Sequence, residues 1–264
     1  MSSRSDSMRR RDVVGALGAL GAAWLVGCRA RTADGAPAQE APERLVVPPP
    51  GQRGEPLGPG THPLALASGR DGLLYVPPGY RADAPAPLVV SFHGAGGSAQ
   101  RWLTRVTGLA DTAGCVLLVP DSRDRTWDVV VEGQFGADVA FVNRALQLAF
   151  TRLAIDPRRL ALQGFSDGAS YALSLGLTNG DRFTRLAAFS PGFLVPAPRR
   201  GRPALFVSHG TADEILPIDR CSRIIVPALR TDGYAVQYQE FDGPHTVPAA
   251  QAAAAFRWLG EPTY

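Results

Sequence analysis

Gly164-Phe165-Ser166-Asp167-Gly168 follows a short apolar run, Leu160-Ala161-Leu162-Gln163, and precedes Ala169 to Leu177, which has helical spacing. Strand, G-x-S-x-G, helix is the nucleophile-elbow pattern, in which a serine stands on a strained turn at a strand end. A side chain at either flanking position would collide with the neighbouring strand or helix, which accounts for both glycines. The chain contains 29 glycines, so the motif alone could arise by chance. Its neighbours decide the reading.

Three further segments have the same form, a run of strand type ending in a polar turn. Leu88 to Phe92 leads into His93-Gly94-Ala95-Gly96-Gly97, an H-G-x-G-G turn of the kind that supplies an oxyanion-hole N–H. Ala204 to Ser208 leads into His209-Gly210-Thr211-Ala212-Asp213. Tyr238 to Phe241 leads into Asp242-Gly243-Pro244-His245. In open α/β sheets the working residues lie just past the carboxyl ends of strands. Ser166, Asp213 and His245 all occupy such positions.

These segments, His93–Gly97, Gly164–Gly168, His209–Asp213 and Gly243–His245, resemble the phospholipase/carboxylesterase branch of the α/β-hydrolases. They are also similar to feruloyl-esterase and polyhydroxybutyrate-depolymerase-like esterases. The resemblance spans roughly residues 62 to 260, and the order Ser, Asp, His is that of the superfamily. It implies a serine esterase that hydrolyses small-molecule or polymer carboxylic esters through an acyl-enzyme, without a cofactor. A prolyl-oligopeptidase-type serine peptidase shares the arrangement, and a non-catalytic lipoprotein on a hydrolase scaffold is the alternative from another class. The motifs do not specify the substrate.

The residues take roles accordingly. Ser166 is the candidate nucleophile, since a hydroxyl needs an adjacent base to attack. His245 is the candidate base, on a loop that can reach back to Ser166. Asp213 is the candidate partner of His245, with Asp242, Asp219 and Glu214 as competitors nearby. The oxyanion hole is expected from the backbone N–H groups of Ala95 and Asp167, with Gly94 or Gly96 as substitutes for Ala95. A carboxylate at Asp167 is unfavourable beside an oxyanion, so this side chain must turn away or meet a cation. Relatives often carry Gln, Asn, Met or Ala there. Trp102 and Trp127 are candidates for lining the substrate cleft, with ordinary packing as the alternative. His93 and His209 each open an H-G turn and are read as braces, and His62 as structural.

All 27 basic residues are arginine. The absence of lysine excludes a Schiff-base lysine, a Ser-Lys dyad and a P-loop lysine. Neither a metal-type C-x-x-C nor an H-E-x-x-H occurs, so no catalytic metal is expected. Arg4, Arg9, Arg10 and Arg11 stand against Asp6 and Asp12, and without residues 1–27 the formal charge drops from +3 to +1. No basic stripe remains, which argues against nucleic-acid binding. Cys115 lies in an apolar run and Cys221 follows the Asp213 loop. An exported protein could join them, but both are read as free thiols.

Residues 1–28 read as an export signal. Arg10-Arg11-Asp12-Val13-Val14 resembles a twin-arginine signal, and the apolar run to Gly27, about 15 residues, is short for a membrane span. Leu25-Val26-Gly27-Cys28 resembles a lipobox, which would acylate Cys28 and anchor a periplasmic or cell-envelope lipoprotein to a membrane. Residues 29–61, rich in Pro, Gly and Ala, read as a disordered tether. Residues 62–264 form the expected single catalytic domain, taken as a monomer. Strands are expected at 62–67, 72–76, 87–92, 115–119, 160–164, 186–190, 204–208 and 235–241. Helices are expected at 99–113, 137–153, 167–179, 219–231 and 248–259, with Pro227 kinking or delaying the fourth. The fold class is therefore α/β: a mostly parallel sheet of about eight strands with helices on both faces. The stretch between Ser190 and Ala204 is too short for a cap domain, so the site is expected to be open and shallow.

Overall fold

The computed structural model describes residues 41–51 and 54–261. Its centre is one eight-stranded sheet: β1 (Gly60–Pro63), β2 (Gly72–Val76), β3 (Ala86–Phe92), β4 (Val116–Pro120), β5 (Ile155–Phe165), β6 (Arg185–Phe189), β7 (Ala204–Gly210) and β8 (Val236–Phe241). The spatial order is β1-β2-β4-β3-β5-β6-β7-β8. β1 and β2 form an antiparallel pair, β2 runs antiparallel to β4, and the remaining pairings are parallel. Parallel strands require crossovers, and helices supply them.

Alternation along the strands divides the core in two. Leu88, Val90 and Phe92 of β3, with Leu160 and Leu162 of β5, face α3 (Ala137–Arg152) and α4 (Asp167–Thr178). The short helix α2 (Asp128–Val131) and α5 (Ser222–Thr231) pack on that same side through Val129, Ile225 and Leu229. Val89, Leu117, Ala161, Ala187 and Phe206 point the other way, against α1 (Ala99–Ala113) and α6 (Ala249–Gly260). α1 presents Trp102, Leu103, Val106 and Ala110 to the sheet, a one-face spacing. Ser98 caps its first turn, and Gly114 closes its last in the left-handed conformation.

The strands and helices depart from the expected boundaries in four main places, the first being β1, which spans Gly60–Pro63 rather than 62–67. β5 begins at Ile155 rather than residue 160, because Ala86 pairs with Ile155 across a register shift. α5 begins at Ser222, after a single 3-10 turn at Ile218–Arg220, with Pro227 inside the helix. α2 was not expected. Residues 191–203 carry no helix and, apart from a bridge at Gly201, no strand.

The domain boundary is corrected. Residues 41–51 and 54–61 lie on the domain and are not part of a tether. Leu45 is buried among core residues, and its N–H donates to Asn179 Oδ1 at 2.8 Å. The Arg44 guanidinium pairs with Asp181 at 2.9 Å and donates to the Thr178 carbonyl. Val46 N–H donates to Asn143 Oδ1, and Leu57 N–H to the Arg152 carbonyl. Cys28 and the remainder of the proposed signal and tether lie outside the described residues.

Candidate active site

β5 lies between β3 and β6, and Ser166 follows its last residue. Ser166 takes φ 58° and ψ −124°, a strained conformation for a residue with a side chain. Its N–H donates to the Phe189 carbonyl on β6, and its carbonyl accepts from Ala169 and Ser170. The turn is tight enough that a Cβ on Gly164 would lie 2.2 Å from the Gly168 carbonyl oxygen. A Cβ on Gly168 would lie 2.4 Å from the Phe92 and His93 carbonyl oxygens. Both glycines of the motif are therefore required by close backbone approach.

Asp213 and His245 come from the turns after β7 and β8. These turns are tied together, with Thr211 N–H donating to the Phe241 carbonyl and Ala212 N–H to the Gly243 carbonyl. The tie brings His245 Nδ1 to 2.6 Å from Asp213 Oδ2 and His245 Nε2 to 2.9 Å from Ser166 Oγ. With Nδ1–H donating to the carboxylate, Nε2 is the free acceptor for the serine proton. The Asp213 side chain is fully buried. Burial alone would raise its pKa, but hydrogen bonds from Leu216 N–H and His245, with attraction to the two histidines, outweigh that. The carboxyl is held below its ordinary range and stays ionised. Asp242 is exposed, away from this chain of bonds.

The histidines of the H-G turns brace the site. His93 Nδ1–H donates to the Gly94 carbonyl at 2.8 Å, while Nε2 accepts from Ser122 N–H. Arg70 holds the same segment through the Gly97 carbonyl and Ser122. Burial pushes the His93 pKa down, so the ring remains neutral. His209 Nε2–H donates to the Leu216 carbonyl at 2.8 Å, and Nδ1 accepts from Ser222 Oγ.

In the His93–Gly97 turn, Gly96 N–H donates to the Arg125 carbonyl and Gly97 N–H to the Gly94 carbonyl. Gly96 therefore has no amide to spare. The amides of Ala95 and Asp167 make no hydrogen bond among the described residues. Gly94 packs closely against Ser166, so that a Cβ on Gly94 would lie 3.2 Å from the Ser166 Cβ. The Asp167 carboxylate is turned aside, accepting from Thr126 Oγ1 at 2.7 Å.

A cavity of 370 Å³ opens beside Ser166, lined by the His93–Ser98 turn, Trp102, Phe165, His245 and Val247, together with Arg101 and Arg105. Trp102 stacks on Phe165 at 6.0 Å, its indole N–H donating to Ser91 Oγ. Trp127 does not line the cleft. It is fully buried, stacked on Tyr171 at 4.8 Å, and its indole N–H holds the His93 carbonyl. Sequence reasoning missed Phe165, which packs 4.7 Å from the His245 ring. It also missed Arg101 and Arg105, whose i, i+4 spacing beside Trp102 was the available signal. A second, apolar cavity of 280 Å³ lies between α1 and α6, lined by Val106, Leu109, Phe189 and Phe256 among others. It shares Trp102, Arg105 and Val247 with the first. Cys115 and Cys221 are free and buried.

No protein-family model matches the chain. It is 26% identical over 163 residues to the probable feruloyl esterase C of Aspergillus flavus, covering 57% of this chain and 57% of that protein. It is 30% identical over 148 residues to the putative esterase NocK of Nocardia uniformis subsp. tsuyamanensis, covering 52% of this chain and 42% of that protein. The chain thus spans less than two thirds of the length of these curated relatives. The crystal structure of esterase PE8 matches with a TM-score of 0.57 at 19% identity, over 77% of this chain and 98% of that one. With esterases among its relatives in sequence and its sheet shared with a solved esterase, the chain has the α/β-hydrolase fold.

Proposed function

We propose that this protein is a serine esterase acting on carboxylic esters. The observation that carries the reading is the unbroken hydrogen-bonded chain from Ser166 Oγ through His245 to a buried, ionised Asp213. Ser166 Oγ attacks the ester carbonyl as its proton passes to His245 Nε2. The Ala95 and Asp167 amides hold the resulting oxyanion. The intermediate collapses with loss of the alcohol, which takes the proton back from His245, and leaves Ser166 acylated. Water then attacks the acyl-enzyme with His245 again as base, releasing the acid and restoring Ser166. Asp213 keeps the imidazole in the tautomer whose Nε2 is unprotonated and stabilises the imidazolium once formed.

The aromatic wall of Trp102 and Phe165 is suited to stacking a planar acyl group, in keeping with the feruloyl esterase relatives. Small-molecule and polymer esters both reach an open cleft. Export through the twin-arginine-like segment, anchorage at Cys28 and a monomeric state complete the proposal. The test is active-site labelling. A fluorophosphonate should label Ser166 stoichiometrically, with p-nitrophenyl esters hydrolysed and peptide p-nitroanilides untouched. Failure to label, or preference for the amides, would overturn the esterase reading.

A further inference from the structure

Arg101 and Arg105 lie four residues apart on α1 and both line the cavity beside Ser166. The placement of these two exposed arginines carries two electrostatic costs. Like charges at i, i+4 repel across one helix face. Arg101 is the third residue of the helix, where the macrodipole is positive and a cation is unfavourable. No aspartate or glutamate lines either cavity to offset them. Arg101 donates to the Gly96 carbonyl at 2.6 Å and so is held against the oxyanion turn. The Arg105 side chain, exposed on α1, makes no hydrogen bond and no ion pair among the described residues.

The nearby carboxylates are already engaged. Asp111 accepts from the Tyr75 hydroxyl at 2.6 Å. Asp121 accepts from Ala99 N–H at 2.6 Å and lies 3.9 Å from Arg70. The Asp167 carboxylate is bonded to Thr126. α6, across the second cavity, carries no acidic residue, and its one charged residue is Arg257. Arg105 is also one of three residues, with Trp102 and Val247, common to the linings of both cavities. A guanidinium fork pairs best with a planar anion such as a carboxylate.

We propose that Arg105, with Arg101 behind it, is an anion subsite of the ester cleft, and that the protein is selective for esters that also carry a carboxylate. The inference rests on the esterase reading. It deepens that reading by naming the charge of the substrate.

Two matched pairs of esters test it on the full chain. The acyl pair is mono-p-nitrophenyl glutarate and its methyl-capped neutral counterpart. The alcohol pair is 4-(butyryloxy)benzoate and its methyl ester. Wild type should favour the charged member of at least one pair in kcat/KM, mainly through KM. Arg105→Gln should reduce that preference about threefold to fivefold, the size expected for one partly exposed ion pair. Arg105→Glu should reduce it further, and added salt should erode it in wild type. Arg257→Gln removes the same charge outside both cavities and should leave the preference intact. Equal rates on charged and neutral esters, or a preference that survives Arg105→Gln, would overturn this inference and leave the esterase reading standing. No hydrolysis of any of the four esters would overturn both.

Discussion

His209 Nε2 stands 3.2 Å from Asp213 Oδ2, the same oxygen to which His245 Nδ1 is bonded at 2.6 Å. Its Nε2–H donates to the Leu216 carbonyl, while the Asp213 Oδ1 accepts from Ile215 and Leu216 N–H. Burial pushes the His209 pKa down, so the ring acts as a neutral donor. On the proposed esterase mechanism it positions the carboxylate without joining the proton path. His209→Ala should lower kcat while leaving the proton-transfer residues in place, a smaller loss than His245→Ala gives. It should also destabilise the fold by about 1–3 kcal/mol, because buried partners lose their hydrogen bonds. Urea denaturation alongside ester kinetics measures both effects. A kinetic loss equal to that of His245→Ala would place His209 in the chemistry.

Ser166→Ala and His245→Ala should each remove at least about 10⁴-fold of kcat, and the double variant should be little worse than either, because the groups act as one unit. Thermal unfolding should stay close to wild type, since neither side chain fills the core. Additive losses in the double variant would show that the two residues act independently.

The Asp128–Asp138 pair beneath the site gives a pH signature of opposite sign to that of an ordinary paired carboxylate. Burial, then the charge of Asp138, pushes the Asp128 carboxyl up from 3.8 to about 6. Between those values the folded protein binds more protons than the unfolded chain, so this group's contribution to stability falls as pH rises. The stability difference between wild type and Asp128→Asn should therefore be larger in wild type's favour at about pH 5 than at about pH 7. A difference independent of pH would show that the carboxyl titrates in its ordinary range.

Much of this arrangement was legible because strand alternation and turn chemistry are local. The runs ending at Phe92, Gln163, Ser208 and Phe241 stop at or within two residues of the strand ends Phe92, Phe165, Gly210 and Phe241, and the polar residues beyond them gather at one edge of the sheet. Ser166, Asp213 and His245 follow from that. The misses depend on contacts distant in sequence. Arg44 and Leu45 are held by Asp181, Asn179 and Asn143, 99 to 137 residues on, and nothing in a Pro- and Gly-rich stretch announces such partners. Pro157 and the exposed Arg158 hid the start of β5, which lies beyond a register shift. Trp127 lies in an irregular segment that left cleft lining and ordinary packing equally open, and only its stacking on Tyr171 of α4 decides for packing.

Cys28→Ser should convert an anchored protein into one released in soluble form after export. A palmitate analogue should label wild type and not the variant, read by gel fluorescence. Labelling of the variant would remove Cys28 from the proposal.

The groove between α1 and α6 sets the expected dependence on acyl length. Apart from Arg105 its lining is apolar, from Val106 and Leu109 on one helix to Ala252 and Phe256 on the other, with Phe189 at the end of β6. Each methylene fully buried there is worth about 0.8 kcal/mol, close to fourfold in kcat/KM where the gain is realised in the transition state. A cavity of 280 Å³ holds only a short stretch of chain. Across p-nitrophenyl esters, kcat/KM should rise from acetate into the medium-chain range and then level off, as further methylenes remain in water. Ala252→Phe narrows the groove and should move the plateau to shorter chains, with the acetate rate changing least. A profile flat from acetate onward, or a plateau unmoved by Ala252→Phe, would show that acyl chains leave Ser166 by another path.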